Sequence, residues 1–290
     1  MTCKDEILPN EIDRVRGENL LNLNRRIFDP KTRIGTALVT GASSGIGEEF
    51  CWQIASRGHN VVLVARNEEK LQRLAEDIHQ IMGVQTQVIV ADLSQQKDID
   101  KVIKRLKDTE NPIDLLVNNA GFAIAQPFVD GDLDREIYGL KVLVETTLKL
   151  SHAAVHSMKK RKRGAIINVA SVAAFSAMGT YASAKSWVVT FTKSLATEVQ
   201  AHGIYVSALC PGLVRTNFHN APSIKDARWP KYLWCNVEEV VEDSLEGLNR
   251  GKVIVVPNWK YKVAYFLMKF APEKAVRKFA GHSSSSNAQF

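Results

Sequence analysis

Thr36-Ala37-Leu38-Val39-Thr40-Gly41-Ala42-Ser43-Ser44-Gly45-Ile46-Gly47 is the stretch on which the reading of this chain turns. It begins with a short β-rich run whose apolar centre suits a strand buried on both faces. Gly41, Gly45 and Gly47 then permit a tight turn, and Glu48 to Arg57 reads as a helix. A glycine-rich turn by itself is compatible with a structural role. Between a first strand and a helix it favours dinucleotide binding: the glycines let a pyrophosphate approach the backbone, and the helix N-terminus attracts its charge. The spacing, three residues between the first two glycines, differs from G-x-G-x-x-G.

The alternation continues outward from there. Asn60–Ala65 reads as a second strand, and Leu71, Leu74, Ile78 and Ile81 mark a long helix. Gln87–Ala91 is a third strand, followed by a helix through Ile99, Val102, Ile103 and Leu106, and Ile113–Val117 is a fourth. A long helix ending near Met158 precedes Ala165–Ala170; a helix around Tyr181 precedes Tyr205–Cys210; a helix from Val237 to Leu248 precedes Val253–Val256. Continuous apolar strands separated by helices predict a doubly wound α/β domain with a parallel sheet and helices on both faces. No internal repeat or low-complexity linker divides it. The expected organisation is an N-terminal extension over 1–33, one domain over 34–258, and a C-terminal segment over 259–290. In that last segment Val263, Phe266, Leu267 and Phe270 fall at helical spacing among Lys260, Lys262 and Lys269; Pro272 ends the helix, and Ser283–Asn287 reads as a disordered tail. The favoured reading of this helix is a cover over the substrate side or a subunit contact. A basic amphipathic helix is also able to lie on an anionic membrane surface.

With 290 residues, 45% of them apolar and 24% charged, the chain can bury a full core. The N-terminus lacks the apolar core of a signal peptide, and no apolar run approaches transmembrane length. Cys3, Cys51, Cys210 and Cys235 are scattered without disulfide or zinc spacing, so a reducing, cytoplasmic compartment and no metal site are expected. The net charge of +7 owes much to Lys159-Lys160-Arg161-Lys162-Arg163. This run lacks aromatic interleaving or a nucleic-acid motif, and reads as a helix C-terminus with Gly164 ending the turn rather than as a nucleic-acid patch.

The chemistry centres on Tyr181-Ala182-Ser183-Ala184-Lys185. Residues four apart share a helix face, so a phenol and an ammonium point at the same ligand. A nearby cation lowers a phenol's pKa from about 10 and makes it a better proton shuttle. At the end of the second strand stands Ala65-Arg66-Asn67, with no carboxylate to take a ribose 2′-hydroxyl. Glu68 and Glu69 suit a first helical turn, and Asn67 suits its cap. Arg66, with Ser43, points to a 2′-phosphate and so to NADP(H) over NAD(H).

Together, Thr40–Gly47, Asn118-Asn119-Ala120-Gly121, Ser171, Tyr181-x-x-x-Lys185 and Pro211-Gly212 resemble the short-chain dehydrogenase/reductase family over roughly Thr36 to Pro257. The resemblance implies a hydride transfer between a nicotinamide and a carbonyl or alcohol. Tyr181 would be the acid/base, Lys185 would tune it and hold the nicotinamide ribose, and Ser171 would steady the alkoxide. It further implies cofactor contacts from Gly41, Ser43, Ser44, Gly45, Ile46, Gly47, Arg66, Asp92, Leu93, Asn118, Ala120, Gly121, Tyr181, Lys185, Pro211, Gly212, Val214 and Thr216. Asn118 is also able to brace the sheet. Two departures stand out: Leu143 aligns with an asparagine that many relatives use in the proton relay, and the gap from Ser171 to Tyr181 is short. The resemblance also implies a homodimer or tetramer packing the helices that contain Val144 and Val188. The stretch from Asn217 to Cys235, with Phe218, His219, Trp229, Tyr232 and Trp234, is the expected substrate wall, and its aromatics suggest an apolar substrate. A rival reading is a protein that senses NADP(H) without turnover.

Overall fold

The computed structural model describes residues 35–124, 126–215 and 230–270. The extension over 1–33, the stretch from Thr216 to Trp229 with Phe218 and His219, Pro272 and the serine tail lie outside the described residues. Strands β1 (Thr36–Thr40), β2 (Asn60–Ala65), β3 (Thr86–Val90), β4 (Leu115–Asn118), β5 (Gly164–Val169), β6 (Ile204–Leu209) and, after two short strands described below, β9 (Ile254–Val255) form one parallel sheet in the order β3-β2-β1-β4-β5-β6-β9. The helices are α1 (Gly45–Ser56), α2 (Glu68–Met82), α3 (Gln96–Leu106), α4 (Leu133–Leu140), α5 (Thr146–Arg161), α6 (Gly179–Val199), α7 (Val237–Asn249) and α8 (Trp259–Phe270). This is the doubly wound single domain that the alternation predicts.

Period-two geometry distributes the strand residues between two cores. Ala37, Val39, Leu63 and Val117 pack beneath α1, α2 and α7. Leu38, Val62, Leu116 and Ile166 pack beneath α3 and α5 on the opposite face. β1 lies between β2 and β4, so the winding reverses there, and the carboxyl ends of these strands open a crevice. Thr40 ties its two sides: its Oγ1 donates to the Val117 carbonyl at 3.3 Å and accepts from the Asn119 and Ala120 amides at 2.9 and 3.0 Å.

Several boundaries differ from the sequence reading. The fourth strand begins at Leu115; the side chain of buried Asp114 before it turns toward Arg161 and Arg163 at 3.8 and 3.6 Å. The third is an edge strand with exposed residues rather than one buried on both faces. The basic run does close a helix, but its left-handed residue is Lys162 (φ 50°), not Gly164. Gly164 opens β5, where a Cβ would lie 2.3 Å from the Met158 side chain. The long helix before β5 is α4 and α5 joined through one widened turn, Lys141–Glu145. Strands β7 (Leu213–Val214) and β8 (Trp234–Cys235) pair in parallel, a two-residue contact with no periodicity to announce it. Val188 lies in a core beside Ala174 and Cys210, and Val144, partly buried, packs against the cluster of Ile124, Leu143 and Ala184. The three described cysteines are buried free thiols.

Candidate active site

A cleft of about 860 Å³ opens at the carboxyl ends of β1, β2, β4, β5 and β6. That volume suits a cofactor together with a small substrate. Its floor starts with the glycine turn. Gly41 and Gly45 have φ of +66° and +59°, which L-residues adopt only at a cost. Gly47 stands behind the turn instead of lining the cleft: a Cβ there would lie 2.2 Å from the Gly41 carbonyl oxygen, so its role is close helix-strand packing. Ser44 is the N-cap of α1 but makes no side-chain capping bond. Ser43, Ser44, Gly45 and Ile46 therefore present a helix N-terminus to the cleft, suited to a pyrophosphate.

Arg66, Asp92 and Leu93 line the next part of the wall. Asn67 caps α2 by accepting from the Lys70 amide at 2.9 Å, with Glu68 and Glu69 in the first turn of that helix. Arg66 is exposed and donates to the Tyr138 hydroxyl at 3.2 Å. Asp92 accepts from the Ser94 amide and hydroxyl at 3.0 and 2.8 Å, so it shapes its own turn as well as the wall. Ala120 and Gly121 line the cleft but Asn118 does not. Its amide is buried and donates to Ser151 Oγ and Asn168 Oδ1, bracing β4 against β5; Asn119 is the neighbour that faces the cleft.

On the opposite side, β5 delivers Ser171, which caps the short 3₁₀ turn Val172–Phe175. This compact turn accounts for the short gap before α6. Tyr181 and Lys185 then lie one helical turn apart on the face of α6 that meets the cleft. Ser171 and Tyr181 share a side-chain hydrogen bond. Lys185 is 5% exposed; its Nζ donates to the Val169 carbonyl at 2.7 Å and lies 5.8 Å from the Tyr181 ring centroid. Burial lowers the Lys185 pKa to about 8. Burial also raises the Tyr181 pKa above the ordinary phenol range, opposed by the Ser171 bond.

Leu143 sits in the widened turn between α4 and α5, fully buried with Ile124 and Ala184. A Cβ on Gly121 would lie 2.9 Å from Leu143 Cδ2 and 3.7 Å from Lys185 Nζ, so this leucine abuts the lysine pocket with an apolar surface. Pro211, Gly212 and Val214 line the far wall, and Thr216 lies outside the described residues. Of the expected substrate wall, Tyr232 is largely exposed, and the cleft meets Leu233 instead. The remaining lining includes Phe122, Arg135, Tyr138, Met178, Tyr261 and Met268, which the sequence reading missed. The helical spacing of Val263, Phe266, Leu267 and Phe270 marks the exposed face of α8, so it carries no signal for the face with Tyr261, Ala264 and Met268 that lines the cleft. Tyr261 locks that helix down: its hydroxyl donates to the Leu233 carbonyl at 2.8 Å and accepts from the Leu213 amide at 3.1 Å. Its ring rests on Gly212, where a Cβ would lie 2.1 Å away.

Known proteins resemble this chain in sequence and fold. The short chain dehydrogenase family model matches residues 35–226. The very-long-chain 3-oxoacyl-CoA reductase of Phaeosphaeria nodorum is 30% identical over 254 residues, covering 82% of this chain and 72% of that protein. The inactive hydroxysteroid dehydrogenase-like protein 1 of Homo sapiens is 34% identical over 193 residues, covering 64% of this chain and 58% of that one. Among solved structures, a short-chain dehydrogenase from Sphingobium yanoikuyae in complex with NADPH superposes with a TM-score of 0.75 at 29% identity, over 87% of this chain and 96% of that one. With the family model spanning the glycine turn, the Ser171 loop and the Tyr181 helix, the chain belongs to the short-chain dehydrogenase family of oxidoreductases.

Proposed function

We propose that this protein is an NADP(H)-dependent reductase of an apolar carbonyl, or the dehydrogenase of the corresponding alcohol. The observation that carries the reading is the convergence of Ser171, Tyr181 and Lys185 at one end of a cleft whose other end is a bare helix N-terminus. The cradle fits a dinucleotide, since Gly41 and Gly45 hold the backbone open and Arg66 stands where a 2′-phosphate would arrive. A nicotinamide bound there supplies the hydride. Tyr181 gives its proton to the carbonyl oxygen, Ser171 hydrogen-bonds the developing alkoxide, and the Lys185 ammonium compensates the phenolate left behind. Support for an apolar substrate comes from Phe122, Val172, Met178, Leu233 and Met268 on the cleft wall, and from the long-chain acyl substrate in the name of one relative.

Turnover of NADPH with a panel of ketones, aldehydes and acyl-chain carbonyls tests this, with NADH in parallel. Arg66→Ala should lower the preference for NADPH over NADH by about 10- to 100-fold, the worth of one or two charge-assisted hydrogen bonds. An unchanged ratio would remove Arg66 from cofactor choice. The second reading, an NADP(H) sensor, draws on the human relative whose name calls it inactive. Tight NADPH binding with no turnover across the panel is the outcome it requires.

A further inference from the structure

Helix α8 has two working faces. Tyr261, Ala264 and Met268 line the cleft, while Tyr265 packs at a tilt against Phe175 of the turn after Ser171 at a centroid distance of 4.6 Å. The opposite face consists of Trp259, Val263, Phe266, Leu267 and Phe270, each between 50 and 68% exposed. These residues recur at helical spacing on one stripe, so the exposed apolar surface is contiguous. Around it the charge is one-sided. Within α8 the sequence carries Lys260, Lys262 and Lys269 and no acidic residue. Lys262 has Asp243 at 4.0 Å, a loose pair between largely exposed side chains. Lys260 Nζ lies over the rings of both Trp259 and Tyr232, at 5.9 and 5.5 Å, so two aromatic rings and a cation gather at the start of the helix.

We infer that the outer face of α8 docks on an anionic lipid surface and holds the mouth of the cleft against it. Both halves of the pattern call for that occupant. The apolar stripe suits the acyl boundary, the Trp259 and Tyr232 rings suit the headgroup level, and the lysines suit anionic headgroups while their stems cover apolar surface. A second copy docking face to face would place one basic segment against another, which like-charge repulsion opposes. Among the described residues no helix is long and apolar enough to cross a membrane. The same helix walls the cleft, so a lipophilic carbonyl would pass from the bilayer to Tyr181 beside Met268 and Tyr261 without crossing water. This last clause rests on the oxidoreductase reading; the docking does not.

The test pellets the full chain with vesicles of phosphatidylcholine alone or with 30 mol% phosphatidylserine, at low and high salt. Binding is expected to the anionic vesicles and to weaken at least tenfold at high salt. It should also fall at least tenfold in Phe266→Glu/Leu267→Glu, whose side chains do not line the cleft, with thermal unfolding and reduction of a short water-soluble ketone unchanged. Lysine-to-glutamine changes at 260 and 262 provide a second variant that leaves the apolar stripe intact and should weaken binding to the anionic vesicles alone. Three results overturn the inference: no vesicle binding, equal binding by the wild type and the double glutamate variant, or a fall in oligomeric state in that variant without any lipid effect. The pelleting read-out involves no turnover, so it stands or falls separately from the proposed reaction.

Discussion

Tyr181→Phe should lower kcat/KM for carbonyl reduction by about 10³-fold or more, roughly 4 kcal/mol of transition-state stabilisation. NADPH affinity should stay within about threefold of the wild type, because the group lost is one hydroxyl facing the substrate rather than the phosphate cradle. Phenylalanine keeps the ring that packs beside Ile124, Leu143 and Ala184, so the fold should survive. What disappears is the proton donor and its bond to Ser171. Burial holds the Tyr181 pKa high, so the phenol keeps its proton across the physiological range and enters the reaction as an acid. Carbonyl reduction should accordingly show no alkaline limb from Tyr181 itself. A loss of less than tenfold in the variant, with the product unchanged, would hand the proton to another group or to water. Unchanged NADPH binding combined with silence in both proteins would favour the sensor.

The parts of the site that could be read in the sequence are those in which the requirement is local. A glycine in the left-handed region, as at Gly41, must be glycine or strained, and Tyr181 and Lys185 meet because a helix brings i and i+4 together. The alternation of apolar runs likewise places seven strands, since each is a local run with its own helix. The unread parts depend on what arrives from elsewhere in the chain. Asn118 and Asn119 are identical side chains one residue apart; the pleat sends one into the sheet to bond Asn168 and turns the other toward Thr40 and the cleft. Tyr138 becomes cleft wall through the packing of α4, and Tyr261 through its two bonds to Leu233 and Leu213, 28 and 48 residues away. The widened turn at Lys141–Glu145 carries the same apolar spacing as an ordinary helix. The structure also gives physical meaning to Leu143, which alignment marked only as a missing asparagine: it places an apolar surface against the pocket of Lys185.

That environment makes Lys185→Met the second large effect, a large loss of activity with little change in stability at pH 7. Loss of the ammonium that compensates the Tyr181 phenolate should cut kcat by about 10²- to 10⁴-fold. Wild-type kcat should also decline as pH rises through about 8, where burial brings Lys185 to lose its proton. Stability should follow the reverse sign. The folded-state pKa lies near 8 against an ordinary 10.5, so between these values the unfolded chain still binds a proton that the native state has released. Stability of the wild type therefore rises with pH across that window, and below about 8 the cost of burying the ammonium is present in full, on the order of 3 kcal/mol. Methionine removes this cost but leaves the Val169 carbonyl without its 2.7 Å donor, a penalty of about 1–3 kcal/mol. The two nearly cancel, so at pH 7 the variant should unfold within about 1 kcal/mol of the wild type, although most substitutions at so buried a position destabilise. Urea unfolding of both proteins without cofactor, at pH 7 and pH 10, separates the contributions: the wild type should gain on the variant by about 2–3 kcal/mol over that interval. Parallel pH dependences would mean that Lys185 keeps an ordinary pKa despite its burial, and the alkaline limb of kcat would then have to come from another group. Should the gain and the limb coincide near pH 8, the same desolvation that weakens the lysine as a cation sets the pH range in which the site can work.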